Sequence, residues 1–319
     1  MTIREKSFPK ICCKRCWGTN VEYLLLFISV FASSTKTVLS KICNKKTVHL
    51  FNAGVFFAGF LVLLLFGIGN TLTISGYAVI TALFYATFTL IAQMFTYRAV
   101  RLGDVGVTSL IYYCGFIIPT VFSVAVWKES FGVMKAIGFF FILCSFALGT
   151  KKSGDKEQSG GFRWLIAAFT AMLGSGLVGI TQKIFAKSSH SAELNGMLLL
   201  AFSIIIVFSF VMHLIFERQS IVKQSETEVS TPISQKQPNK KSWIQILSAI
   251  LVGVAMATAN KINSYLPGIM DGVVFFPVVN GGSIVMGMIG GILLFHEKAT
   301  IRKVSAILIG VLAIVLTVL

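Results

Sequence analysis

Acidic side chains are scarce in this chain. Twelve Asp and Glu stand against 28 Lys and Arg in 319 residues, and none of the twelve falls clearly inside an apolar run. A carrier that exchanges a lipophilic cation for protons needs a carboxylate at bilayer depth, so the shortage argues against that chemistry. Charge of either sign is short as well: 13% of residues are charged, 55% are apolar, and the mean hydropathy is +0.82. A soluble domain needs more charge than this to cover its surface, so lipid must solvate most of the chain. Cysteine is too sparse and scattered for a disulfide scaffold, with six in the whole sequence. Cys43, Cys114 and Cys144 lie in or beside apolar runs and read as small hydrophobes. Cys13 and Cys16 form one CxxC with no second pair and no nearby His, which leaves a structural zinc site short of ligands. Acylation of Cys12, Cys13 or Cys16 is the alternative, and an inert basic anchor is the preferred reading. The four histidines, His49, His190, His213 and His296, are far apart, and no HExxH, GxSxG or paired carboxylates occur in the apolar runs. No catalytic residue, metal site or bound cofactor is expected, and the chain reads as a non-enzyme.

What the chain has in abundance is apolar sequence divided at the right length. A spanning helix takes about 20 mostly apolar residues. Such runs fall at 22–43, 48–69, 73–97, 104–127 and 132–150, and again at 164–186, 194–216, 243–265, 272–295 and 300–319. Residues 1–21 form a basic tail without the short apolar core of a signal peptide. Residues 151–163 form a polar link, and residues 217–242, rich in Ser, Gln, Glu and Lys, form a polar loop. All Lys and Arg other than Lys36, Lys183 and Lys261 sit in the tail or at and between the runs, where anionic lipid attracts them. Their net charge of +16 therefore does not imply nucleic acid.

The ten runs repeat. A shift of 168 positions brings Tyr97 onto Tyr265, Tyr112 onto Asn280, Glu129 onto Glu297 and Lys135 onto Lys303. A shift of 142 aligns the first two runs of each set, bringing Ser33 onto Ser175 and Lys41-Ile42 onto Lys183-Ile184. The shifts differ by 26, the length of the loop 217–242, so one repeat with one insertion explains both. With five runs per half, an odd number, the second half must cross the membrane upside down relative to the first. Inverted halves of this kind recur in transporters, with the substrate site near the midplane between them.

This five-plus-five arrangement, with Glu129 and Glu297 each closing the fourth run of a half, resembles the drug/metabolite transporter superfamily and its EamA-like family. Glycines nine and thirteen residues beyond the glutamate are frequent there; Gly138 supplies the first in one half and Gly310 the second in the other. The resemblance implies an all-α polytopic protein of ten transmembrane helices in two inverted five-helix repeats, 22–150 and 164–319. It also implies a solute carrier that works by alternating access, with both termini cytoplasmic.

Lys36 and Lys261 lie inside their runs, and a charge at bilayer depth either lines a wet cavity or snorkels to a headgroup. Cavity lining is the preferred reading for both. Gln93 and Tyr112, opposite Lys261 and Asn280 under the repeat, complete an expected substrate-binding set of Lys36, Gln93, Tyr112, Lys261 and Asn280. Lys183, nearer a run's end, is expected to snorkel. Glu129 and Glu297 are expected at solvated rims as orienting or gating groups, and Pro119 and Pro277 as kinks beside the cavity or plain packing kinks. Gly281, Gly282, Gly287, Gly290 and Gly291 are expected to serve close helix packing.

The expected function is transport, by export, of a small anionic, zwitterionic or neutral metabolite such as an amino acid or phosphorylated compound. Cationic drug efflux and a non-transporting membrane scaffold are the rivals. The expected partners are the solute and the bilayer, in a monomer or homodimer of the plasma or bacterial inner membrane. Orientation is contested by the charges: the side of the termini collects eight Lys and Arg and the other side seventeen, whereas the basic tail argues for termini inside.

Overall fold

The computed structural model describes residues 15–39, 48–68, 73–103, 105–149, 161–217, 240–295 and 299–319. Within these, the side chains of 15–20, 36–39, 105–106, 216–217, 240–242 and 295 are not described. Glu297, His296, Lys41, Cys12, Cys13, Cys43, the link from 151 and most of the loop 217–242 therefore lie outside the described residues, as do the side chains of Lys36 and Cys16.

Every described element is helical. The order is α1 (Arg15–Leu39), α2 (Val48–Gly67), α3 (Gly76–Leu102), α4 (Val105–Tyr113), α5 (Ile117–Trp127), α6 (Val133–Gly149), α7 (Phe162–Lys187), α8 (Leu194–Met212), α9 (Lys240–Tyr265), α10 (Gly272–Phe295) and α11 (Ile301–Val318). α4 and α5 form one rod broken by a 3₁₀ turn at Cys114–Phe116. The break lies directly before Pro119, which has no N–H to donate to the carbonyl four residues back and so cannot continue an α ladder. Eight of the described segments are long and apolar enough to cross a membrane, and Val21–Thr35 and Val133–Gly149 are shorter apolar helices. α3 runs on past the expected end at Tyr97. Arg98 and Arg101 are compatible with an interfacial last turn, and the helix stops at Gly103, whose N–H bonds Ala99 O.

Large apolar side chains such as Phe27, Phe31, Leu65, Phe84 and Leu308 are exposed around the bundle, as a lipid-facing surface requires. Inside, besides a small apolar core of Ala99, Ala167 and Ala168, are two large ones. One is built on Phe56, Tyr85, Phe185, Met197 and Phe202 from α2, α3, α7 and α8, the other on Phe116, Ile142, Phe146, Phe275 and Phe276 from the rod, α6 and α10. Lipid tails are as apolar as the core, so helices associate here through close packing. α6 and α11 show this directly. A Cβ on Gly138 would lie 2.8 Å from Ala313 O, and one on Gly310 would lie 2.8 Å from Ser145 Oγ.

The strongest contacts between helices of residues 15–149 and those of residues 162–318 come in matched pairs. α3 lies along α7, as α1 lies along α9. α2 packs on α9, as α8 packs on α3. The rod α4–α5 meets α7, as α10 meets α1. The pairs α2–α8 and α6–α11 match themselves.

Candidate functional site

A cavity of about 450 Å³ lies between the two sets of helices. Its wall draws Ser33 from α1, Asn52 from α2, Gln93, Thr96 and Tyr97 from α3, and Ser109, Tyr112, Tyr113, Phe116 and Pro119 from the rod. The second set contributes Ser175, Gly179 and Gln182 from α7, Asn260 and Asn263 from α9, and Phe275, Phe276, Asn280 and Ser283 from α10.

The wall is tied together by hydrogen bonds, three of which, Asn52–Ser209, Tyr85–Asn260 and Ser29–Asn263, cross from one set to the other. Asn52 donates to Gln93 Oε1 (2.8 Å) and to Ser209 Oγ (3.0 Å). Tyr85, 2% exposed, donates its hydroxyl to Asn260 Oδ1 at 2.7 Å, while Asn260 Nδ2 donates to Met256 O at 2.9 Å. A backbone carbonyl can only accept, so this second bond fixes which way the Asn260 amide points. Ser29 donates to Asn263 Oδ1, and Asn280 Nδ2 donates to Phe276 O (2.9 Å). Thr96 returns its hydroxyl to Ala92 O of its own helix at 2.6 Å. Carboxamides offer a donor and an acceptor side by side, so this wall can meet hydroxyl, amide and carbonyl groups. Phe116, Phe275, Phe276 and the tyrosines add flat apolar surface.

Of the residues expected to bind solute, Gln93, Tyr112 and Asn280 line the cavity, and so does Pro119. Lys261 lies outside the lining, with its Nζ 4.4 Å from the centre of the Phe66 ring near the end of α2. Its neighbours Asn260 and Asn263 face inward in its place. Three residues apart on a helix they share a face, from which Lys261 is turned by about 100°. That spacing was the available signal. Pro277 is buried inside an unbroken α10 and does not line the cavity. Asn52, Ser175 and Gln182 also line it although no sequence feature singled them out as binding residues.

The two rim expectations that concern described residues are corrected. Lys183 does not snorkel: its side chain is 1% exposed and ion-paired with Glu129, itself only 7% exposed. Glu129 Oε2 also accepts the backbone N–H of Val273 at 3.1 Å, and Lys183 Nζ lies 5.1 Å from the Trp127 ring centre. A buried cation needs a carboxylate, and the first turn of α10 offers that carboxylate a free N–H. Together they draw Glu129 inward from the rim. Among the described residues, no group of three or more His, Cys, Asp or Glu could hold a metal.

Comparison with known proteins adds a family and a fold. Residues 20–150 match the EamA-like transporter family. No curated protein matches the chain. A solved structure described only as "Crystal structure of protein" superposes with a TM-score of 0.70 at 14% identity, covering 93% of this chain and 96% of its own. At that identity the likeness concerns the fold alone.

Proposed function

Over residues 20–150 the chain belongs to the EamA-like transporter family of the drug/metabolite transporter superfamily, and from that premise we propose that it is a secondary carrier for a small polar metabolite. In this reading the chain forms ten spans in two inverted halves, 22–150 and 164–319, and the cavity between them is the substrate site. Rocking of the halves exposes it to one side and then the other. The observation that carries the reading is the lining itself. Ser33 and Ser175, and likewise Tyr112 and Asn280, are partners under the sequence repeat, and all four face the same cavity. The matched contacts between the two sets support the same repeat, because exchanging α1, α2, α3, the rod and α6 for α7, α8, α9, α10 and α11 reproduces them, although α10–α11 has no counterpart between the rod and α6.

The described lining sets carboxamides and hydroxyls among aromatic and aliphatic surface and carries no charged side chain. That favours a neutral or zwitterionic solute over a lipophilic cation, which a buried carboxylate would hold. Lys36 decides whether anions are also taken. Its repeat partner under the 142 shift is Val178, which lines the cavity. Export from the cell through a plasma or inner membrane, with termini cytoplasmic, completes the proposal.

Thermal stabilisation of the purified protein against amino acids, nucleosides, phosphorylated metabolites and cationic drugs tests this, since a ligand for the folded state raises the melting temperature by mass action. Stabilisation by neutral or zwitterionic solutes that is weakened tenfold or more in Asn263→Ala, and unchanged in Lys36→Met, is expected. Phosphate or carboxylate binding lost in Lys36→Met would make the substrate an anion. Stabilisation by cations only would overturn the proposal in favour of drug efflux, and silence across the panel would favour a scaffold.

A further inference from the structure

Next to one end of the cavity a single carboxylate ties three helices together. Glu129 follows α5 in the first set. Its Oε1 pairs with Lys183 of α7 and its Oε2 accepts the N–H of Val273 in the first turn of α10, both in the second set. The latch lies one or two residues beyond the lining. On α7, Gly179 and Gln182 face the cavity and Lys183 follows; on α10, Val273 precedes the lining pair Phe275 and Phe276. The packing there is tight: a Cβ on Gly272 would collide with Ser123 Oγ and lie 2.5 Å from Lys183 Nζ. Lys187 and Asp271 are the other charges acting on Lys183, so two cations meet two anions at this end.

We propose that Glu129 is the positioning residue of a gate, holding Lys183 and the start of α10 across the cavity floor, and that access from that side requires its two bonds to break together. The proposal rests on the carrier reading above and adds the device that sets which side is open. The physical basis is that a buried ion pair is weak in net terms but costly to leave half-broken. With the helices closed, neither ion can leave alone, because the other would stay dry and uncompensated. Once the helices part and water enters, hydration replaces the pair and little is lost. Such a contact favours two states, fully closed and fully open, over anything between.

Cysteine accessibility in the full-length protein tests this without a known solute. Ser123→Cys, buried beside the latch, reports the side on which residues 128–132 emerge, and Thr96→Cys in the lining reports access from the opposite side. Both are read by a membrane-impermeant maleimide in oriented vesicles, with each site quantified by mass spectrometry so that native cysteines do not interfere. Glu129→Gln is expected to raise labelling at Ser123→Cys about tenfold, a shift of about 1.4 kcal/mol in the open–closed balance, and to lower labelling at Thr96→Cys. Lys183→Met, which strands the carboxylate instead of the cation, keeps the test valid if Glu129→Gln misfolds, and the same reciprocal change is expected. The double variant Glu129→Gln/Lys183→Met leaves no buried charge unpaired and is expected to label as the unaltered protein does. No change at either site in the single variants, or a rise at both, which is what simple loosening gives, overturns the proposal. A reciprocal change in a protein that no solute stabilises would instead leave the gate standing and remove the carrier reading.

Discussion

Lys128 takes a left-handed backbone conformation, φ 56° and ψ 32°, and is the one positive-φ residue other than glycine among those described. It caps α5 and turns the chain so that the next residue, Glu129, swings back toward α7 and α10. A β-carbon in this region costs about 1 kcal/mol, which glycine avoids. The exposed side chain of Lys128 is not part of the described latch. Lys128→Gly is therefore expected to raise thermal stability by roughly 0.5–1 kcal/mol and to leave ligand stabilisation intact; a loss of stability in a melting curve would show that the lysine side chain matters more than its backbone. At this scale the sequence was partly readable. Gln93, Tyr112 and Asn280 stand out as polar groups in apolar runs because a polar group at depth needs a reason. Charge was the misleading cue. Lys261 and Lys183 stand out more than their neighbours, yet long side chains reach partners away from their own helix face, Phe66 in one case and Glu129 in the other. Short carboxamides cannot reach so far, so their helical spacing is the better guide to a cavity.

Helix ends and helix contacts differ in how far the sequence determines them. Spans follow from apolar length, which is why the expected runs and the observed helices agree in place, with the largest excesses at the start of α1, seven residues ahead of the expected run, and where Arg98 and Arg101 extend α3 by five. Which helices touch does not follow from apolar length, because in lipid every span is apolar and the choice is made by small residues. The glycine nine places beyond Glu129 and the one thirteen places beyond Glu297 illustrate this. Gly138 and Gly310 mark the contact between α6 and α11, two helices that end their respective halves, and Ser145 reinforces it by donating to Ala306 O at 2.7 Å. A methyl at Gly138 would sit 2.5 Å from Thr317 Oγ1 and 2.8 Å from two backbone atoms of α11, which cannot yield as a flexible side chain can. Gly138→Ala is expected to cost about 2 kcal/mol through overpacking, seen as a lower melting temperature. Gly132→Ala, where a Cβ meets nothing within 4 Å, serves as the control that should not move. Equal melting temperatures for the two variants would mean that α6 and α11 can separate without cost.

At the scale of the whole molecule, the principal contacts run between the halves and not within them. α3 with α7, α2 with α8 and α9, α1 with α9 and α10, and α6 with α11 all join a helix of residues 15–149 to one of residues 162–318, whereas α10 with α11 is the main pairing inside a half. The hydrogen bonds agree: Tyr85 to Asn260, Asn52 to Ser209, Trp164 to Thr108 and Ser75 N–H to Glu193 all cross the divide. A single half would insert in the membrane, since insertion of each span depends on its own hydrophobicity, but its small-residue faces and buried amides would then have no partners. The boundary between the two sets, in contrast, falls in the polar stretch 151–160. Cutting the gene there and co-expressing the two pieces is expected to give a complex that co-purifies and keeps the melting temperature of the intact chain to within a few degrees. Residues 1–155 expressed alone should accumulate at least tenfold less, because degradation follows the unfolded population. A stable, monodisperse first half would show that each half is its own folding unit, and the cavity would then be a docking surface between two finished domains. If the halves are stable only together, the cavity is created by the association itself, and under the proposed carrier reading any rocking that opened it would have to preserve most of the interface through which the two halves hold each other folded.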